Sequence, residues 1–217
     1  MLFVLREYYQ GKDYIVACVI YMLALILSLS MHEFAHAFTA YKCGDETPKM
    51  MGRVTLNPLA HLDPLGIICA ALFYVGWAKP VQVNPLNFKK YRKGMALVSS
   101  AGVITNFILA FLSCGIFSCI LHFANSLSTF GFYCVMFFLV MYSLNITLCV
   151  FNFLPFYPLD GFNLLDALTK ADNKFVEFLR KYGQWILIIL LVFFDRFLPA
   201  LIGIVGYPIT AFWGLIF

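Results

Sequence analysis

The sequence predicts an all-α polytopic membrane protein, with about five spanning helices, a re-entrant segment and short membrane-associated β-strands between the first two helices. Composition is the first indication, because 62% of the 217 residues are hydrophobic and only 12% are charged. Charged residues make up about a quarter of a soluble domain. Length is the second, since several uncharged stretches reach the roughly 20 residues that a helix needs to cross a bilayer.

The first helix is expected from about Tyr14 to Lys42. Its apolar run is too long for a cleaved signal peptide and follows several charged residues, so we expect it to be retained. The seven cysteines are scattered through apolar segments without a Cys-x-x-Cys pair. They are expected to be buried fillers rather than ligands or disulfide partners.

The region between the first two long helices is rich in turns. Gly44 to Pro64 predicts a loop with a short strand at Arg53 to Leu56. Leu65 to Ala78 is apolar but only about 14 residues long, which suits a re-entrant segment better than a crossing. Both alternatives stay open. Lys79 to Pro85 alternates in polarity and predicts a strand ended by a turn.

The second half of the chain adds further helices. Two long ones are expected at Gly94 to Ala124 and Phe130 to Leu154, joined by an uncharged loop. The stretch from Asp166 to Lys181 is amphipathic and basic. Trp185 to Phe217 predicts a final helical pair, which meets near Asp195 to Pro199.

The loop charges predict a topology, because basic loops stay in the cytosol. With the loop at Asn125 outside, the basic loops all lie inside only if Leu65 to Ala78 does not cross. The first helix then runs inward, and the C-terminus lies inside after five crossings. The net charge of +4 sits in these loops, which argues against nucleic-acid binding.

A cluster of polar residues near the end of the first helix carries the chemistry. His32 and His36 are four residues apart and share a helix face, so both imidazoles can reach one metal ion, with Glu33 beside them. Neutral imidazoles bind Zn²⁺, and a carboxylate that is not a ligand can take a proton from water. The alternative is a polar helix end satisfied by water or backbone, but ionisable residues inside a span are costly and mark function.

A catalytic zinc site needs a third protein ligand, and Asp160 is the best candidate. Pro155 and Pro158 break the helix before it, and Gly161 allows a tight turn. Irregular backbone at membrane depth lies within protein or lines a cavity. Asp160 could instead simply cap the following helix. The charge-based topology brings Asp160 and His32 to the same side of the membrane.

Two motifs resemble those of the site-2 protease family of intramembrane zinc metalloproteases: His32-Glu-Phe-Ala-His36 and Asn152-Phe-Leu-Pro-Phe-Tyr-Pro-Leu-Asp160-Gly. The segments 44–66, 76–85 and 100–106 also resemble short bacterial members without a PDZ domain. The resemblance implies a single membrane domain over 1–217, with a catalytic core at about 14–182 and a C-terminal helical pair at about 183–217.

The resemblance also implies roles for individual residues. His32, His36 and Asp160 would bind one Zn²⁺ per chain, Glu33 would activate water, and Asn152 would hold the substrate carbonyl or its oxyanion. Asn106 would support the site, unless it only joins two helices by a hydrogen bond. For His61 and Asp63, a place near the site and a purely structural turn are both open.

The predicted strand at Pro80, Val81, Gln82 and Val83 has a use in proteolysis, since an exposed strand edge can hold an extended substrate. Two residues depart from the family pattern, Gln82 in a run that is commonly Pro-Val-Pro-Val and Val103 where Ala-Gly-Pro is usual.

The expected function is zinc-dependent hydrolysis of peptide bonds in or near the transmembrane segments of other proteins. The expected partners are such substrates and the lipid bilayer, without nucleic acid, and a homo-oligomer stays open. The expected location is the bacterial inner membrane, with the site towards the cytosol. A metal transporter and a non-catalytic membrane chaperone are the alternatives, although neither requires Glu33 beside the ligands.

Overall fold

The computed structural model describes residues 11–73, 76–124, 126–170, 172–193 and 196–217, and these form helices joined by irregular segments. Two short 3₁₀ turns lie at Pro58–Ala60 and Pro85–Asn87. In chain order the helices are α1 (Gly11–Cys43), α2 (Thr47–Met50), α3 (Pro64–Phe73), α4 (Tyr91–Phe123), α5 (Thr129–Phe153), α6 (Asp160–Leu168), α7 (Lys174–Phe193) and α8 (Phe197–Ile216).

Four of the described helices are long and apolar enough to cross a membrane: α1, α4, α5 and α8. Helix α4 packs against both α1 and α5, and α8 packs on α4 and α5. Many large apolar side chains on these helices point outward, as expected where lipid replaces water. The chain is therefore an integral membrane protein.

The three central helices alternate in direction. Tyr133 at the start of α5 donates a hydrogen bond of 3.0 Å to Asp13 at the start of α1, so these two helices begin at the same side. Ala40 near the end of α1 packs with Val98 near the start of α4. We call the side where α1 ends the Cys43 face and the opposite side the Asp13 face.

Helix α3 enters the protein from the Cys43 face and returns to it. Leu62 and Ala78 form an antiparallel bridge, and the Lys79 N–H donates to His61 O at 2.8 Å. A helix of 10 residues spans only about 15 Å, half of a bilayer core. A Cβ on Gly66 would lie 2.1 Å from Trp77 O, so glycine lets the returning chain pass close. The two ends of this segment thus lie side by side, as the predicted re-entrant segment requires.

The predicted strands at 53–56 and 79–85 are wrong, because residues 53–56 and 79–84 are irregular and Pro85 begins a 3₁₀ turn. The reason lies in their backbone donors. Pro80 has no N–H, and those of Val81 and Asn84 bind the carboxylates of Glu33 and Asp45 instead of a neighbouring strand. Beyond the backbone bond of Lys79, the segment 79–84 is held by side chains rather than by a β-ladder.

The described helices do not support the predicted five crossings, and they place the C-terminus on the side opposite to the Cys43 face, whereas the prediction put it on the same side as the two motifs. Leu201 near the start of α8 packs with Leu154 just after α5, at the Cys43 face. The Phe217 ring lies 5.6 Å from that of His122, near the end of α4, at the Asp13 face. Helix α8 therefore crosses once, and α7 before it does not cross. Asp195, which was expected at the helix junction, lies outside the described residues.

Candidate metal centre

The two histidines of α1 face the interior and lie against each other. Both side chains are buried, and their Nε2 atoms are 3.0 Å apart. One helical turn separates them, which places both rings on the face of α1 that meets α4 and α5.

Asp160 reaches the histidines from the start of α6. Its Oδ2 lies 3.2 Å from His32 Nε2 and 3.1 Å from His36 Nε2. The chain turns sharply after α5, where a Cβ on Gly161 would lie only 2.2 Å from Phe153 O. Glycine therefore permits the turn that points the carboxylate at the imidazoles.

These three donor atoms fit a zinc ion. Their separations of 3.0, 3.1 and 3.2 Å define a small triangle. Tetrahedral ligands at about 2.0–2.1 Å from Zn²⁺ are about 3.3 Å apart. Two imidazoles and one carboxylate form a donor set typical of catalytic zinc, which leaves a fourth position open. They are also the one group of metal-binding side chains with suitable spacing in the described chain.

The other ring nitrogens are held by α4. His36 Nδ1 lies 2.8 Å from Val98 O and donates its proton there, which leaves Nε2 unprotonated for a metal. His32 Nδ1 lies 3.0 Å from the amide of Asn106. That amide is buried, and its Oδ1 has no partner among the described residues. Turning the amide lets Oδ1 accept the His32 Nδ1–H, which leaves His32 Nε2 unprotonated for a metal.

Gly102 of α4 lies directly against both imidazoles. A Cβ at this position would lie 2.5 Å from His32 Cε1 and 2.5 Å from His36 Nε2. Glycine is thus required for α4 to approach the two rings. Sequence reasoning missed this residue, although the segment 100–106 had already drawn attention through its resemblance.

Glu33 lies beside the triangle but points elsewhere. Its Oε2 accepts the Val81 N–H at 3.1 Å, and the side chain is half-buried. The predicted base therefore touches the segment 79–84, which was expected to hold substrate. Pro80 and Gln82 in that segment are exposed, and Val81 and Val83 are half-buried.

Asp45 ties the segment 79–84 to the end of α1. Its buried carboxylate accepts the N–H of Asn84 at 2.7 Å, the Asn87 amide at 2.8 Å, and both the N–H and hydroxyl of Thr47. Although burial raises the pKa of Asp45, these hydrogen bonds hold it below its ordinary value. Buried Arg53 donates to the carbonyls of Ala60 and Lys79. Sequence reasoning singled out neither residue for this purpose.

The remaining predicted residues have local partners. His61 is fully buried, and its Nε2 lies 2.9 Å from Thr55 O. Asp63 accepts two backbone N–H groups at the start of α3. Asn152 donates to Leu148 O of its own helix at 3.0 Å. The contacts of His61 and Asp63 are those of a structural turn. All seven cysteines are free thiols.

Comparisons with known proteins identify relatives of this chain. The sequence profile of Peptidase family M50 matches residues 119–194. "Putative zinc metalloprotease YwhC" of Bacillus subtilis is 45% identical over 151 residues, which cover 68% of this chain and 68% of that protein. "Putative zinc metalloprotease Rip2" of Mycolicibacterium smegmatis is 28% identical over 186 residues, or 83% of this chain and 69% of that one.

A protein of the same name from Mycobacterium tuberculosis is 29% identical over 175 residues, covering 78% of this chain and 64% of that one. No solved structure matches the chain significantly. A relative with 45% identity across two thirds of both chains is decisive for family membership. The chain belongs to Peptidase family M50, the site-2 protease family, and is a zinc metalloprotease of the membrane.

Proposed function

We propose that this protein hydrolyses peptide bonds in or beside transmembrane segments of other proteins, at one Zn²⁺ held by His32, His36 and Asp160. The observation that carries the proposal is the buried triangle of donor atoms, 3.0–3.2 Å on each side, between membrane-spanning helices. A site at this depth favours substrates that are themselves in the membrane.

Glu33 is the general base in this proposal. A bound zinc ion supplies a Lewis acid that acidifies water and polarises a carbonyl. Glu33 takes the proton of the attacking water and passes it to the leaving amide nitrogen, which a carboxylate beside the ligands can do. The hydrogen bond from the Val81 N–H to Oε2 orients this carboxylate, and its remaining lone pairs can take the proton.

The segment 79–84 holds the substrate in an extended form. It is anchored at both ends, by the Lys79 N–H on His61 O and by the Asn84 N–H on Asp45. The backbone around Gln82 lies between these anchors, exposed and beside Glu33. An unwound substrate segment can pair with it through main-chain hydrogen bonds. Asn152, at the end of α5, orients the substrate carbonyl once its amide turns away from Leu148.

The protein lies in the inner membrane of a bacterium, and its site faces the cytosol. With α1, α4, α5 and α8 crossing, all but two of the fifteen Lys and Arg residues lie at the Cys43 face; Lys12 is at the Asp13 face, and Arg6 is outside the described residues. The residues at the Cys43 face are Lys42, Lys49, Arg53, Lys79, Lys89, Lys90, Arg92, Lys93, Lys170, Lys174, Arg180, Lys181 and Arg196.

Replacing Glu33 with Gln tests the mechanism. The variant should keep its zinc but lose cleavage of a single-span substrate in liposomes by at least about 100-fold, because a general base contributes that much. Glu46→Gln, an exposed residue of the same face, is the matched control and should cut normally. Cleavage by Glu33→Gln at the wild-type rate would contradict the role of Glu33. Zinc flux across liposomes without any cleavage would favour transport instead.

A further inference from the structure

Helix α7 has a side that nothing in the described protein covers. Its buried side is formed by Val176 and Leu179, which pack on Phe162 of α6, and by Leu187, which packs on Leu154 and Leu201. A helix that met only water on its other side would carry polar residues there, and α7 does not.

A stripe of aromatic residues runs along the exposed side. Phe175, Phe178, Tyr182 and Trp185 are 60%, 48%, 42% and 66% exposed, and their spacing of three, four and three places them on one face. Ile189 and Val192 continue the stripe, also exposed. Such a continuous apolar surface marks a contact with protein or membrane.

The position of α7 relative to the spans identifies what covers this stripe. Helix α5 ends and α8 begins at the Cys43 face, where Leu154 meets Leu201. The chain between them must therefore begin and end at that face. Four charged residues in its first half also keep α7 from crossing, and it is not among the candidate spans of the described chain. The helix lies at the boundary between the membrane and water.

The charges beside the stripe select a kind of lipid. Lys174 and Lys181 are exposed next to it, and the Lys181 ammonium lies 5.1 Å from the centre of the Tyr182 ring. Arg180 is instead paired with Asp166 at 2.8 Å. Helix α7 has three basic residues and one acidic residue, Glu177, so its own net charge is +2.

We infer that α7 is an interfacial helix, which inserts its aromatic stripe into the leaflet at the Cys43 face and places Lys174 and Lys181 among anionic phospholipid headgroups. Because α7 packs on α6, whose first residue is Asp160, this contact anchors the helix that carries the third metal ligand. The inference about lipid does not depend on the proposed protease mechanism.

The test uses the fluorescence of Trp185 in the full chain, reconstituted in bilayers with lipids brominated at defined depths. Trp77→Phe and Trp213→Phe remove the other two tryptophans. Trp185 should be quenched most by bromine near the headgroup end of the acyl chain. If that variant does not fold, Trp185→Phe in the natural sequence gives the same signal by difference.

Competition between brominated phosphatidylcholine and unbrominated phosphatidylglycerol then measures headgroup preference at Trp185. Each lysine should favour the anionic lipid about fivefold, so Lys174→Gln with Lys181→Gln should bring the preference close to one. The matched control, Lys89→Gln with Lys90→Gln, should leave it unchanged. Quenching greatest at the bilayer centre, no quenching at any depth, or a wild-type preference of one would each overturn the inference.

Discussion

Replacing Gly102 with Ala should disrupt the metal centre by displacing its two imidazoles. The new Cβ would lie 2.5 Å from His32 Cε1, 2.5 Å from His36 Nε2 and 2.7 Å from His32 Nδ1. Carbon atoms in good contact are about 3.5 Å apart, so the rings or α4 must move by roughly 1 Å. Zinc sites tolerate only about 0.2 Å. If α4 moves instead, the hydrogen bonds that the two imidazoles donate to Val98 O and to the Asn106 amide lengthen.

Either relaxation should weaken zinc binding about 100-fold, or by about 2.7 kcal/mol. Competition with a chelator of known affinity measures this in detergent, and the far-UV spectrum checks that helices persist. Gly203→Ala on α8 is the matched control, since a Cβ there meets nothing within 4 Å. It should bind zinc as the wild type does. Unchanged zinc affinity in Gly102→Ala would refute the claim that α4 needs glycine at this position to approach the two imidazoles.

Three further predictions concern the surroundings of the site. Asn145→Ala removes the buried 2.8 Å hydrogen bond to Ser28 and should cost about 1 kcal/mol in unfolding titrations, whereas Thr147→Val, which loses only a bond within α5, should cost almost nothing. Asn106→Leu should lower zinc affinity 10- to 100-fold, and full retention in the chelator assay would refute its contact with His32. Asp45→Asn should destabilise the protein by about 2 kcal/mol at neutral pH. Because the folded pKa of Asp45 is lowered, its stabilisation is present above the unfolded value of about 3.9 and fades as pH falls below it. In thermal unfolding, lowering the pH from 7 to 3 should therefore reduce the stability of Asp45→Asn less than that of the wild type. Equal losses of stability in the two proteins would contradict this role of Asp45.

The long helices were predictable because bilayer thickness sets their length. The expected spans at 14–42, 94–124 and 130–154 agree closely with α1, α4 and α5. The meeting of Asp160 with His32 and His36 also followed, since the loop charges placed both motifs at one face. That argument required a re-entrant Leu65 to Ala78, and the bridge between Leu62 and Ala78 agrees with it.

The failures came where side chains compete with regular structure. Alternation at 79–85 predicted a strand, but the carboxylates of Glu33 and Asp45 take its backbone donors. Those partners lie about 40–50 residues away in sequence, so no local pattern reveals them. Counting apolar residues after Trp185 predicted a crossing, whereas packing between Leu154 and Leu201 keeps α7 at one face. The need for Gly102 depends on how closely α4 approaches the imidazoles of α1, and the residue type alone does not reveal that distance.

X-ray absorption at the zinc edge of the purified full chain tests the central proposal most directly. The predicted first shell contains two imidazole nitrogens and the carboxylate oxygen of Asp160, with one zinc per chain by elemental analysis. Asp160→Ala should bind zinc far more weakly and lose one oxygen from the shell. A shell with three or more imidazoles, or full zinc occupancy and an unaltered shell in Asp160→Ala, would contradict the proposed site.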